Sequence, residues 1–126
     1  MIRAALDHVI DLLFDVGIDA TSDARNLQAP GVFVTVASID DFTLGLQARV
    51  RGDIIAVVRD LGGDADIDHL DAIIRTIVPA IAADPEMHID TIDTNEQATP
   101  PSGGKLPAIR VTYTLYLELK EIDNGD

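Results

Sequence analysis

From Ile109 to Leu119 the apolar residues Ile109, Val111, Tyr113, Leu115, Leu117 and Leu119 alternate with Arg110, Thr112, Thr114, Tyr116 and Glu118 without a slip. A period of two means a β-strand with one buried face, because successive side chains on an extended backbone point to opposite sides of the sheet. The stretch from Ile109 to Lys120 would span about 40 Å at roughly 3.3 Å per residue. A compact chain of 126 residues has a diameter of about 36 Å. Such a strand is expected either to cross the whole sheet or to leave it and join a neighbouring subunit, which points to assembly before catalysis.

The remaining segments supply the partners of this strand. Ile2, Leu6, Val9, Ile10, Leu13 and Phe14 recur at three- and four-residue steps, so residues 2–16 read as an amphipathic helix ended by Gly17. Its other side carries Asp7, Asp11 and Asp15, either a solvated acidic face or one turned toward a partner or a channel. After Pro30-Gly31, the β-branched run Val32 to Val36 begins a strand, and Asp40-Asp41 reads as a hairpin turn. The return strand starts near Thr43 and sets Leu44, Leu46, Ala48 and Val50 against Gln47, Arg49 and Arg51; Gly52 marks a bulge or bend. Ile54 to Val58 is apolar on both faces, as expected of a strand end covered from two sides. Gly62-Gly63 closes it, and Ile67, Leu70, Ile73, Ile74, Ile77 and Val78 form a second helical stripe that Pro79 should kink or restart. A strand around Met87 to Thr94 and a flexible connection over 97–104 precede the long strand.

The predicted order is therefore α-β-β-α-β-β. The fold class expected is α+β, an antiparallel sheet of about four strands with two helices packed on one face. A single domain over residues 1–120 is expected, followed by an acidic tail, 121–126.

Composition narrows the function. The chain has 9 Lys and Arg against 22 Asp and Glu, a net charge of -13, which disfavours electrostatic capture of nucleic acid. With no cysteine there is no disulfide framework and no thiolate metal site. Asp7, Asp11 and Asp15 interrupt the apolar pattern that a secretory signal would need. The longest apolar run, Ile77 to Ala83, contains Pro79 and is far short of a membrane span, so no membrane partner is expected. Asp64, Asp66 and Asp68 resemble the start of a calcium loop, but His69 stands where Gly is required and Arg75 where a bidentate Glu is required. They are better read as acids at the positive end of a helix dipole. His8, His69 and His88 lack metal-ligand spacing, and Ser22, Ser38 and Ser102 lie in no nucleophile elbow. No catalytic residue, cofactor or metal is assigned.

Arg49, Arg51 and Arg110 stand out as cations on the polar faces of predicted strands. They either pair within the chain, with Asp53, Asp90 or Asp93, or pair across a subunit interface, where Arg is favoured. With the hairpin acids Asp40 and Asp41 and the polar positions Thr112, Thr114 and Tyr116 of the long strand, they make the candidate contacts.

Several ordered segments together resemble the tail terminator (tail completion) family of long-tailed bacteriophages. These are the opening helix Met1 to Asp15, the approach Asn26 to Val34, the strand Leu46 to Val50, the helix Leu70 to Pro79 and the closing Ile109 to Leu115. They cover most of the chain but contain no specific motif. The resemblance implies a non-enzymatic virion protein at the tail-neck junction, assembled in the host cytoplasm. Its partners would be itself in a six-fold ring, the tail tube protein below and the head-tail connector protein above. DNA would pass through the lumen without specific binding. The tip near Asp40-Asp41 and the loop 97–107 are expected to lie outside the core and contact neighbouring rings. Alternatives are another phage neck protein, or a regulatory α+β domain with a small ligand in a cleft.

Overall fold

The computed structural model describes residues 1–43, 47–101 and 104–118. Its elements run α1 (Ile2–Asp15), β1 (Ala20–Thr21), β2 (Gly31–Thr43), β3 (Gln47–Val57), α2 (Gly63–Ala82), β4 (Met87–Ala98) and β5 (Leu106–Glu118), with a 3-10 turn at Ala24–Asn26. The class is α+β with two helices. The sheet, however, is five-stranded in the order β1-β2-β3-β5-β4, and it is mixed, because β1 runs parallel to β2. This corrects the expectation of four antiparallel strands. Two residues are too short to show a period, and Ala20 and Thr21 become a strand only because the chain leaving α1 is laid beside Val32 and Phe33.

Burial explains the helices. Ala5, Leu6, Val9 and Leu13 of α1 join Ile77 and Ile81 of α2 over one face of the sheet, supplied by Val32, Val34, Val50, Ile54, Val111, Tyr113 and Leu115 among others. Ile2 and Phe14, assigned by period to the same stripe, are instead 58% and 69% exposed. Ile2 stands a turn ahead of the buried line Ala5, Leu6, Val9 and Leu13, whereas Phe14, beside the fully buried Leu13, lies off that line rather than beyond its end. Gly17, with φ +87, turns the chain out of the helix, a conformation that costs glycine little. At the other helix, the Asp66 carboxylate accepts from the amides of Leu61 at 2.8 Å and Gly62 at 3.2 Å, which ties the approach to α2 back onto its first turn, although no side chain caps the helix's own first amides. Pro79 neither ends nor restarts α2, which continues to Ala82.

The long strand β5 lies between β3 and β4. From Gln47↔Glu118 to Val57↔Ala108 its pairing with β3 has no register shift, and β4 occupies its other edge. The expectation that it leaves the sheet to join a neighbour is thereby corrected for residues 106–118. Its length is matched within the chain, because β2 and β4 run to 13 and 12 residues.

The apolar end of β3 is covered from the second side, as its sequence implied. Leu27, Val57 and Ala108 form a smaller cluster with Phe33, Ile55, Ala98 and Leu106 packed against it. The loop 97–107 is therefore not wholly outside the core: Gln97 and Ala98 pair with Pro107 and Leu106, and Pro100 is buried. Asp40 and Asp41 are likewise not a turn but part of β2, Asp41 having φ +54. Leu44, Leu46, Leu119, Lys120 and the tail 121–126 lie outside the described residues.

Candidate functional site: the open face of the sheet

Residues directly opposite one another in an antiparallel pair share a face. Arg49 faces Tyr116, Arg51 faces Thr114, Asp53 faces Thr112 and Ile55 faces Arg110, while Asp40 faces Arg49 across the other edge of β3. The candidate residues Asp40, Arg49, Arg51, Arg110, Thr112, Thr114 and Tyr116 are thus brought onto one side of the sheet, opposite the helices. Asp41 joins them through its carboxylate, 3.9 Å from Arg49 Nη1.

Most of the charge on this face is matched locally. Arg49 Nε donates to Asp40 Oδ1 at 2.9 Å. This hydrogen bond holds the Asp40 carboxyl below its ordinary value, with the field of Arg51 adding to the effect. Arg110 Nη1 donates to Asp53 Oδ2 at 3.0 Å, and its Nε lies 3.6 Å from Glu96 Oε1. Thr112 Oγ1 donates to the other oxygen of Asp53 at 3.0 Å. Thr114, only 2% exposed, donates to Asp90 Oδ2 at 2.7 Å. The free oxygen of Asp90 sits 3.2 Å from His88 Nε2, and the His88 ring leans on Tyr116 with centroids 6.0 Å apart.

Of the three arginines, Arg110 pairs with Asp53, one of the acids expected for it, whereas Arg49 pairs with Asp40 and Asp41, which were expected to face neighbouring rings; Arg51 does neither. Arg51 is exposed, and among the described residues no carboxylate comes within ion-pair distance of it. Arg51 is thus an exposed arginine with no ion-pair partner among the described residues, beside paired charges on strands held by regular β-pairing. Among the described residues no cluster of His, Asp and Glu could hold a metal ion.

Asp53, Asp90, His88 and Glu96 belong to this face as much as the residues selected from sequence. Asp53 was legible from the alternation of β3. Asp90 was also named as a possible partner of the arginines, but it falls at a register shift between Ile89 and Thr91 and accepts from Thr114 instead; His88 and Glu96 were not singled out for this face. Compared with known proteins, the chain matches no protein-family model and no curated relative.

Proposed function

We infer that this chain is a structural subunit of a long-tailed bacteriophage, which caps the completed tail tube as a ring and offers its far side to the head connector. Beside the resemblance that runs through most of the sequence, one observation carries this reading: the polar candidate residues converge on one open face of the sheet, while the helices cover the other. A closed ring of identical copies needs two different complementary surfaces on each subunit, and a sandwich with one helical and one open polar side supplies two surfaces of unlike chemistry. Arg51 is the residue on the open side left to pair with a neighbour.

The acid excess suits the same role. A net charge of -13 around a lumen repels a passing polyanion and keeps it from adhering. The protein in this reading is not an enzyme, and its place is the tail-neck junction of the virion.

The test is reconstitution. Tails assembled in cells that lack this protein are expected to be overlong and headless by electron microscopy, and the purified chain added to growing tubes should arrest their length. Tubes of normal length joined to heads in its absence would overturn the reading. Arg51→Glu should fold normally and fail to arrest growth. A monomer in solution is compatible with this role, since the tube end itself can template the ring.

A further inference from the structure

By its backbone α2 is one helix, and by its packing it is two. In its last turns Ile77 and Ile81 are fully buried. Just past the helix, Asp84 meets α1, where its Oδ2 lies 2.6 Å from His8 Nε2. The first half has no buried apolar side chain: Ile67 is 63% exposed, and Leu70, Ile73 and Ile74 only lean on the core.

A groove runs along each flank of this first half. One, of about 450 Å³, lies between Ala72 and Ile73 and the chain at Pro30 and Val58. The other, of about 270 Å³, lies between Ile67, Leu70 and Ile74 and the strand residues Thr94 and Ile109. At 3.6 residues per turn the two sets of helix residues fall on opposite flanks, so the hold of this half on the sheet is confined to the line between them. Polar contacts add nothing to it. Among the described residues, every side-chain hydrogen bond and ion pair of 63–75 stays within 61–76: Asp66 with the Leu61 and Gly62 amides, Arg75 with Asp71, and the Thr76 hydroxyl with the Ala72 carbonyl.

Both ends of the segment can bend. At the entry, Gly62 and Gly63 stand at φ +88 and +54, with open space where a side chain would begin, so neither a Cβ nor packing restrains them. At the exit, Pro79 has no N–H to give the Arg75 carbonyl, and its ring crowds that carbonyl. The helical ladder is thus interrupted at the point where burial changes, with loose residues before it and Ile77 and Ile81 held beyond.

We propose that residues 63–75 form a flap, which lifts from the sheet as a unit between the Gly62–Gly63 joint and the gap at the Arg75 carbonyl, while Ile77 to Ala82 stay on the core. Opening merges the two grooves into one apolar cleft and uncovers Ile109, otherwise fully buried. Hinges are the few positions that absorb a backbone change, and here they bracket the part of α2 with least to lose by leaving the sheet. This device is independent of the role in tail assembly.

Native-state hydrogen exchange on the intact chain, read by NMR, tests the flap. A stretch of helix this short does not hold by itself in water, so its amides exchange together whenever the flap lifts, without global unfolding. The amides of Ile67 to Ile74 should share one protection level, at least about a hundredfold below that of Ala80, Ile81 and Ala82. Pro79→Ala restores a donor for the Arg75 carbonyl and joins the flap to the anchored half; it should narrow the gap to less than about tenfold. Equal protection along α2, a gradual loss toward Gly63 as in a fraying end, or a gap indifferent to Pro79→Ala would each overturn the proposal. Should that variant fold poorly, the wild-type pattern alone decides between a shared level and the other two.

Discussion

Gly52 and Tyr113 compete for the same space, and the sheet is built around the outcome. The Tyr113 hydroxyl donates to the Thr35 carbonyl at 2.8 Å, reaching it across Gly52. A Cβ there would stand 2.0 Å from that carbonyl oxygen and 2.6 Å from the hydroxyl. Burial, with the charge of Asp53 adding, pushes the Tyr113 hydroxyl above its ordinary value, which favours the protonated form that donates this hydrogen bond. Tyr113→Phe should cost about 1 kcal/mol for the lost hydrogen bond, and Gly52→Ala about 1–3 kcal/mol for overpacking. In denaturant titrations the double variant should cost less than the sum, because the two share one contact; strict additivity would contradict this geometry. Asp40 gives a second test at this scale. Its pKa is lowered by Arg49, so the interaction adds stability above the unfolded carboxyl value and loses it as pH falls through the lower folded value. By NMR titration the Asp40 midpoint should lie below that of a free aspartate, and Arg49→Gln should raise it.

At the scale of elements, α1 shows how a period can be right and its edge wrong. Leu13 and Phe14 are neighbours in one apolar stripe, yet Leu13 is fully buried and Phe14 is largely in solvent. Leu13→Ala should therefore destabilise the chain by about 2–5 kcal/mol, while Phe14→Ala should change monomer stability by less than about 0.5 kcal/mol. Comparable losses for both would mean that α1 is rotated on the sheet. The strands show a related asymmetry. β3 and β5 pair without interruption. The outer pairings break instead, at Val36/Ser38 and Asp40/Thr43 in β2 and at Ile89/Thr91 and Asp93/Glu96 in β4. Bulges and acids on outer strands keep a sheet from adding further strands. The assembly proposed above, through the sheet face that carries Arg51, fits this arrangement better than strand exchange between subunits.

At the scale of the whole molecule, self-repulsion follows from a net charge of -13. Surface fields reach about 30 Å at 0.01 M salt but only about 3 Å at 1 M. The denaturation midpoint should thus rise as sodium chloride is raised from about 0.01 to 0.5 M; a fall would show that exposed ion pairs such as Arg3–Asp7 and Arg75–Asp71 outweigh repulsion. How much was legible beforehand depended on the range of the signal. The α+β class, both helices and the buried face of β5 follow from periods of two and 3.6 that each segment carries by itself, because local geometry alone sets which side chains share a side. The same alternation marked Arg49, Arg51 and Arg110 as outward-facing. It could not say which of them had partners, since Asp53 reaches Arg110 from 57 residues away and Asp90 reaches Thr114 through a break in register. Nor could it show that β5 is interior, that Ala20 and Thr21 make a parallel strand, or that Phe14 stands in solvent beside a buried Leu13. Each of those depends on which segments meet across the sheet and where the packed layer stops, and only long-range packing decides that.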